Sequence, residues 1–117
     1  LMQIRYNELI MLREEPMRIL YLIARQYRIL LIVHEMTGRG VSEDQTARAA
    51  GIHRYFVKKA KKQLGGYDEE LLMNSLEACL ATEEKIKTGK ITDRTGLETL
   101  LFQLTNKIGL KDQKDRH

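Results

Sequence analysis

The residues with the most chemistry in this 117-residue chain are three histidines, one cysteine and a Lys-Thr-Gly-Lys run. His34, His53 and His117 share no common spacing, and neither an HExxH pair nor a Cys/His ligand set occurs, so the sequence predicts no zinc-type site. Lys87, Thr88, Gly89 and Lys90 carry phosphate-loop residue types. The GxxxxGKS/T spacing and the preceding strand that aim backbone N–H groups at a phosphate are absent. The carboxylates stand where a solvated helix face puts them. No catalytic residue, cofactor or metal ligand is assigned, and a small helical enzyme would lack a convergent polar cluster to act through. Cys79 has no second cysteine to pair with, which fits a reducing, cytoplasmic compartment.

The densest positive charge lies in AAGIHRYFVKKAKK, residues 49–62. Arg54, Lys58, Lys59, Lys61 and Lys62 follow one another with no acidic residue among them. Ala47, Gly51 and Val57 have helix-turn-helix spacing. The small residue lets two helices cross closely, Gly takes the turn conformation, and the aliphatic residue locks the second helix onto the first. On that reading residues 54–64 form a recognition helix whose cations meet phosphates or base edges. Any tight αα corner needs the same three anchors, and its lysines then form a solvated face or face an acidic neighbour. Base readout leans on Arg, Asn and Gln, whereas this helix is mostly lysine, so any DNA contact is expected at the backbone.

The elements that must hold these residues are helical. Hydrophobic residues make up 43% and charged residues 31%, the balance of a globular domain. A formal net charge of +4 suits an acidic partner or nucleic acid without distinguishing them. The most apolar window, residues 17–36, contains Arg18, Arg25, Gln26 and Arg28, which are too costly in lipid for a membrane span. Arg5, Glu8 and Arg13 interrupt any leader-like run at the N-terminus. The chain starts at Leu1, as expected of a segment of a longer protein.

Between the breakers Pro16, Gly38, Gly40, Gly51, Gly65, Gly66, Gly89, Gly96 and Gly109, apolar residues recur at helical spacing. The pattern predicts an all-α domain, a compact bundle of five to six helices around a central apolar helix. The first helix covers residues 2–13. Pro16 opens the second, which reaches residue 37 as the central helix; residues 29–33 could pass for a strand, but no breaker interrupts the chain from 17 to 37. Ser42, Glu43, Asp44 and Gln45 have capping-box spacing before a helix ending at Ala50, with Gly51 in the left-handed position after it. The basic helix turns Phe56, Val57, Ala60 and Leu64 inward. Asp68 caps a helix running to Lys87 with the stripe Leu72, Leu76, Cys79 and Leu80. Asp93 caps the last helix, whose apolar face is Leu97, Leu100, Leu101, Leu104 and Ile108. Residues 1–110 make the domain, and 111–117 a charged tail that frays.

Charge divides along the chain: residues 68–84 carry six acidic side chains and no basic one, against the basic run before them. Arg25 and Arg28, three apart in the apolar helix, share a face. Either they snorkel to solvent, or they are buried against acceptors such as Glu83 or Glu98 and set helix register or face a neighbouring subunit. Glu83 and Lys87 are four apart in the favourable order for a helix pair, and Lys87 also suits the negative helix end.

Five groups of residues then stand in a recognisable order: Glu15, Pro16, Met17, Arg18, Ile19, Leu20; Ala24, Arg25, Gln26, Tyr27, Arg28, Ile29, Leu30; Gly51, Ile52, His53 with Tyr55 and Val57; Ile86, Lys87, Thr88, Gly89; and Leu97, Glu98 with Leu100 and Leu101. Together they resemble the C-terminal domain of the bacterial DNA polymerase III delta subunit, the clamp-loader subunit that opens the sliding clamp. The resemblance covers residues 2–104. Arg54 stands where that family commonly has Pro after the His, and Glu83 where it commonly has Asp.

The resemblance implies a helical collar domain that joins delta to the tau/gamma and delta-prime subunits in a five-membered ring. Clamp binding and opening would belong to an AAA+-like N-terminal part, and delta is not regarded as the ATP-hydrolysing subunit. It also makes Pro16, Arg25, Gln26, Arg28, Gly51, Ile52, His53, Lys87, Gly89 and Glu98 structural motif residues. Arg54, Lys58, Lys59, Lys61 and Lys62 remain candidates for partner or DNA-backbone contact.

Overall fold

A computed structural model describes residues 15–115 of the chain, with side-chain surroundings for 15–106. Five α-helices follow one another: α1 Pro16–Gly38, α2 Glu43–Ala50, α3 Arg54–Gln63, α4 Glu69–Lys87 and α5 Asp93–Asp115. A 3-10 turn, Leu64–Gly66, separates α3 from α4, and no strand occurs among the described residues. The chain is all-α, as its periodicity predicts. The helix expected over residues 2–13 and the side chain of Ile108 lie outside what is described. Helical backbone in α5 continues past Leu110, where the sequence pattern starts a tail.

Pro16 is the first residue of α1, where its missing N–H leaves no bond unmade. The Glu15 carbonyl accepts from the amides of Arg18 and Ile19 at 3.0 and 3.1 Å. Residues 29–33 are helical throughout, so the strand-like run of branched residues gives way to the uninterrupted helix around it.

The chain divides into two compact units. One takes Leu1–Ile23 and Glu77–His117, the other Ala24–Leu76. The first has a core of Ile19, Leu20 and Ile23 from α1, Cys79 and Thr82 from α4, and Leu97, Leu100 and Leu104 from α5. Gly96 belongs to this core rather than to a break between helices. A Cβ there would lie 2.9 Å from Ile91 Cδ1 and 3.0 Å from Ile86 Cδ1, so its bare backbone lets the start of α5 sit against the end of α4. The second unit buries Ala24, Tyr27, Ile29, Leu30 and Val33 of α1, Thr46 and Ala47 of α2, Val57 and Ala60 of α3, and Leu72 and Ser75 of α4. The long α1 therefore supplies core residues to both units.

Two inward assignments change, those of Phe56 and Leu80, and three more, Leu64, Leu76 and Leu101, are only half-buried. Phe56 is 51% exposed and Leu64 half-buried in the 3-10 turn, because the inward side of α3 is centred on Val57 and Ala60. In α4 the buried stripe runs Leu72, Ser75, Cys79, Thr82, and Leu80, one step of 100° beyond Cys79, is 47% exposed. Thr82 enters the core without an open hydroxyl, donating to the Ala78 carbonyl at 2.8 Å. Leu76 and Leu101 are half-buried. The cap of α5 also moves by one residue. The Thr92 hydroxyl accepts from the Thr95 amide at 3.2 Å, and Asp93 is the first helical residue, placed where its charge suits the helix dipole.

Candidate functional site

The corner between α2 and α3 is built from local rules. The Ser42 side chain accepts from the Gln45 amide at 3.2 Å and opens α2. Gly51 closes it at φ 70°, ψ 33°, in the left-handed region that costs any side chain with a Cβ. With the Ile52 amide bonded to the Ala47 carbonyl at 3.0 Å and the Gly51 amide to that of Arg48 at 3.3 Å, this is a Schellman stop. His53 then acts as the N-cap of α3: its Nδ1 accepts from the Tyr55 amide at 3.0 Å. That bond requires the tautomer protonated on Nε2. Arg54 occupies the first helical position, one where a proline also fits. Ala47 and Val57 are buried as the corner pattern predicts.

The five basic residues of α3 separate into two groups. Arg54 Nε lies 3.6 Å from Glu43 and 3.5 Å from Asp44, and Lys61 Nζ lies 3.6 Å from Glu43. Arg54 and Lys61, seven apart, share a stripe that the acidic first turn of α2 neutralises. Lys58, Lys59 and Lys62 are exposed and have no carboxylate partner among the described residues. Beside them stand two aromatic rings, Tyr55, which the sequence offers only as a motif residue, and Phe56, which its pattern turns inward. Tyr55 is 57% exposed and packs edge-on to Phe56, with ring centroids 5.6 Å apart and planes at 71°. Lys59 Nζ lies over both rings, 5.0 Å from the Tyr55 centroid and 5.8 Å from that of Phe56. The signal present in the sequence is Lys59 standing four residues after Tyr55 and three after Phe56, which puts all three on one outer surface. A recognition helix uses its N-terminal side chains on base edges, and here Arg54 is already held by two carboxylates.

Elsewhere the motif residues are dispersed. Arg25 and Arg28 are exposed on α1 and need no buried carboxylate. Gln26 donates to Gln63 Oε1 at 3.0 Å, tying α1 to the end of α3. Of the two acceptors considered for the arginines, Glu98 is exposed and Glu83 pairs with Lys87 at 2.6 Å. That hydrogen bond and the Glu83 charge, with Glu84 adding to them against slight desolvation, hold the Lys87 ammonium above the ordinary lysine range. Gly89, at φ 76°, ends α4 in a second Schellman stop: its amide reaches the Ile86 carbonyl and that of Lys90 the Lys85 carbonyl. Among the described residues no three His, Cys, Asp or Glu side chains gather as a metal would require.

The profile of the family described as DNA polymerase III delta subunit, C-terminal domain, matches residues 2–104. The chain belongs to that family. It is also 31% identical over 112 residues to the DNA polymerase III subunit delta of Bacillus subtilis (strain 168), covering 96% of this chain and 31% of that protein. The delta C-terminal domain described here thus spans about a third of that relative's length. No solved structure matches. Within this delta domain, Pro16, Gly51, His53 and Gly89 carry helix starts and stops, Lys87 a helix-end ion pair and Gln26 an interhelical bond.

Proposed function

We propose that this domain is the collar segment of a clamp-loader delta subunit, holding delta to the tau/gamma and delta-prime subunits so that a sliding clamp can be loaded on DNA during replication. Residues 1–110 form the assembly domain and 111–117 its charged tail. The observation that carries the reading is the family match over residues 2–104. Large exposed side chains support it: Tyr21, Leu22, Leu80 and Phe102 stand in water on an isolated chain and suit surfaces that become covered in an assembly. Among the described residues no helix is long and apolar enough to cross a membrane. The domain works in the cytoplasm, as part of a DNA polymerase III holoenzyme, and does no chemistry of its own. Clamp contact belongs to a different part of delta.

Mixing the purified chain with the collar domains of tau/gamma and delta-prime on a sizing column tests this. A species larger than any component is expected. Folded components that elute separately would remove the assembly role.

A further inference from the structure

The outer side of α1 has the composition of an interface. Tyr21, Arg25, Arg28 and Ile32 follow one another four, three and four residues apart, the alternation that lines side chains along one edge of a helix. Leu22, three before Arg25, flanks them. All five stand on α1, so the helix alone fixes their alignment. Tyr21 is 61% exposed and Leu22 37%, although their neighbours Leu20 and Ile23 are buried. Arg25 and Arg28 are exposed, and Ile32 is half-buried. The helix has three arginines and no lysine, and no carboxylate occurs from Pro16 to His34. The next one along, Glu35, pairs with Arg39 at 3.7 Å. Among the described residues Arg25 and Arg28 have no carboxylate partner. Two guanidinium groups three residues apart repel each other on an isolated helix, and a carboxylate set between them relieves the repulsion.

We infer that this face of α1 docks a helix of a neighbouring subunit that presents carboxylates beside an apolar ridge. The carboxylates meet Arg25 and Arg28, and the ridge lies along Tyr21, Leu22 and Ile32. The neighbour is the one the assembly role requires, and the inference rests on that reading. Tyrosine and arginine are the residue types that anchor protein interfaces, because each covers much area with few rotatable bonds or presents a rigid fork to a carboxylate. Lysine, strongly hydrated and depleted at such surfaces, is absent from this helix. A phosphate backbone would satisfy the arginines and leave Leu22 and Ile32 without an apolar partner. The spacing of Tyr21, Arg25, Arg28 and Ile32 suits a partner helix packed nearly parallel or antiparallel to α1, since a four-three alternation keeps one edge facing one neighbour.

Biolayer interferometry tests it, with the full chain immobilised and the purified tau/gamma or delta-prime collar domain in solution. Tyr21→Ala with Leu22→Ala is expected to weaken binding of one of the two domains about thirtyfold or more, the effect of removing an interface anchor. Arg25→Glu with Arg28→Glu is expected to weaken it about a hundredfold or more, because carboxylates then face carboxylates. Lys90→Glu with Arg94→Glu makes the same change of net charge at exposed positions away from α1 and is expected to leave affinity unchanged. The variants alter exposed side chains, and circular dichroism checks that each stays helical. A native chain that binds neither collar domain would remove the assembly role and this inference with it. Native binding that both α1 variants leave intact would overturn this inference alone, and so would an equal loss in the Lys90 and Arg94 variant. If collar binding is intact, loss of self-association in the α1 variants would assign the face to a second copy of the chain, and loss of oligothymidylate binding would assign it to nucleic acid.

Discussion

Arg54 Nε lies 3.6 Å from the Glu43 carboxylate across the α2–α3 corner, and Lys61, seven residues further along, meets the same carboxylate. One partly buried glutamate thus pairs with two cations of the basic helix. Glu43→Gln should lower stability by less than about 1 kcal/mol, since each pair is solvent-screened. It should also release Lys61, leave Arg54 to Asp44 alone, and strengthen binding of any polyanion at low salt. Urea denaturation and a heparin-column elution profile measure the two effects.

His53 caps α3 through Nδ1, so removing the acceptor leaves the Tyr55 amide open. His53→Ala should cost about 0.5–2 kcal/mol, and His53→Asn should recover much of it. Equilibrium unfolding of the three proteins decides the matter. Equal stability of the Ala and Asn variants would show the cap to be idle.

Gly51 and Gly65 both have open space within 4 Å of where a Cβ would stand, but only Gly51 of the two has positive φ. Gly51→Ala should therefore destabilise by about 1–2 kcal/mol through backbone strain alone. Gly65→Ala should be neutral or stabilise by up to about 1 kcal/mol by restricting the unfolded chain. Thermal melts of the pair separate conformational strain from packing.

Leu72 is fully buried, whereas Leu80, eight residues later on the same helix, is about half exposed. Leu72→Ala should cost about 2–5 kcal/mol, and Leu80→Ala less than about 1 kcal/mol. Chemical denaturation curves would expose an error in the buried stripe if the order were reversed.

The Lys87 ammonium is held above its ordinary value of 10.5 by Glu83. For a cation whose folded value is raised, the contribution to stability is complete below the unfolded value and disappears as pH climbs through the folded one. The stability difference between the native chain and Lys87→Met should therefore be flat from neutral pH to about 10 and shrink above it. Unfolding followed across alkaline pH is the check.

Much of the fold is legible in single residues. Pro16 opening α1, Ser42 opening α2, Gly51 and Gly89 stopping helices, and the Asp68 carboxylate accepting from the Leu71 amide at 2.7 Å are local devices. Each acts on backbone groups within a few residues of itself, so its chemistry can be read without a partner. The Glu83–Lys87 pair is legible for the same reason. The pattern misleads where two adjacent residues compete for one inward direction. Phe56 and Val57, or Leu80 and Cys79, are equally apolar in a one-dimensional pattern but lie 100° apart around the helix. The neutralisation of Arg54 and the outward pairing of Tyr55 with Phe56 likewise depend on where α2 and α3 meet.

By itself the sequence determined that this chain is helical, where most of its described helices start and stop, and which family its ordered motifs belong to. These follow from backbone hydrogen bonds and capping groups that act over one or two turns. Only the tertiary structure decided which side of each helix faces a core, and which cations of α3 keep their charge for a partner. Those choices turn on side chains far apart in the chain competing for the same space and the same carboxylates.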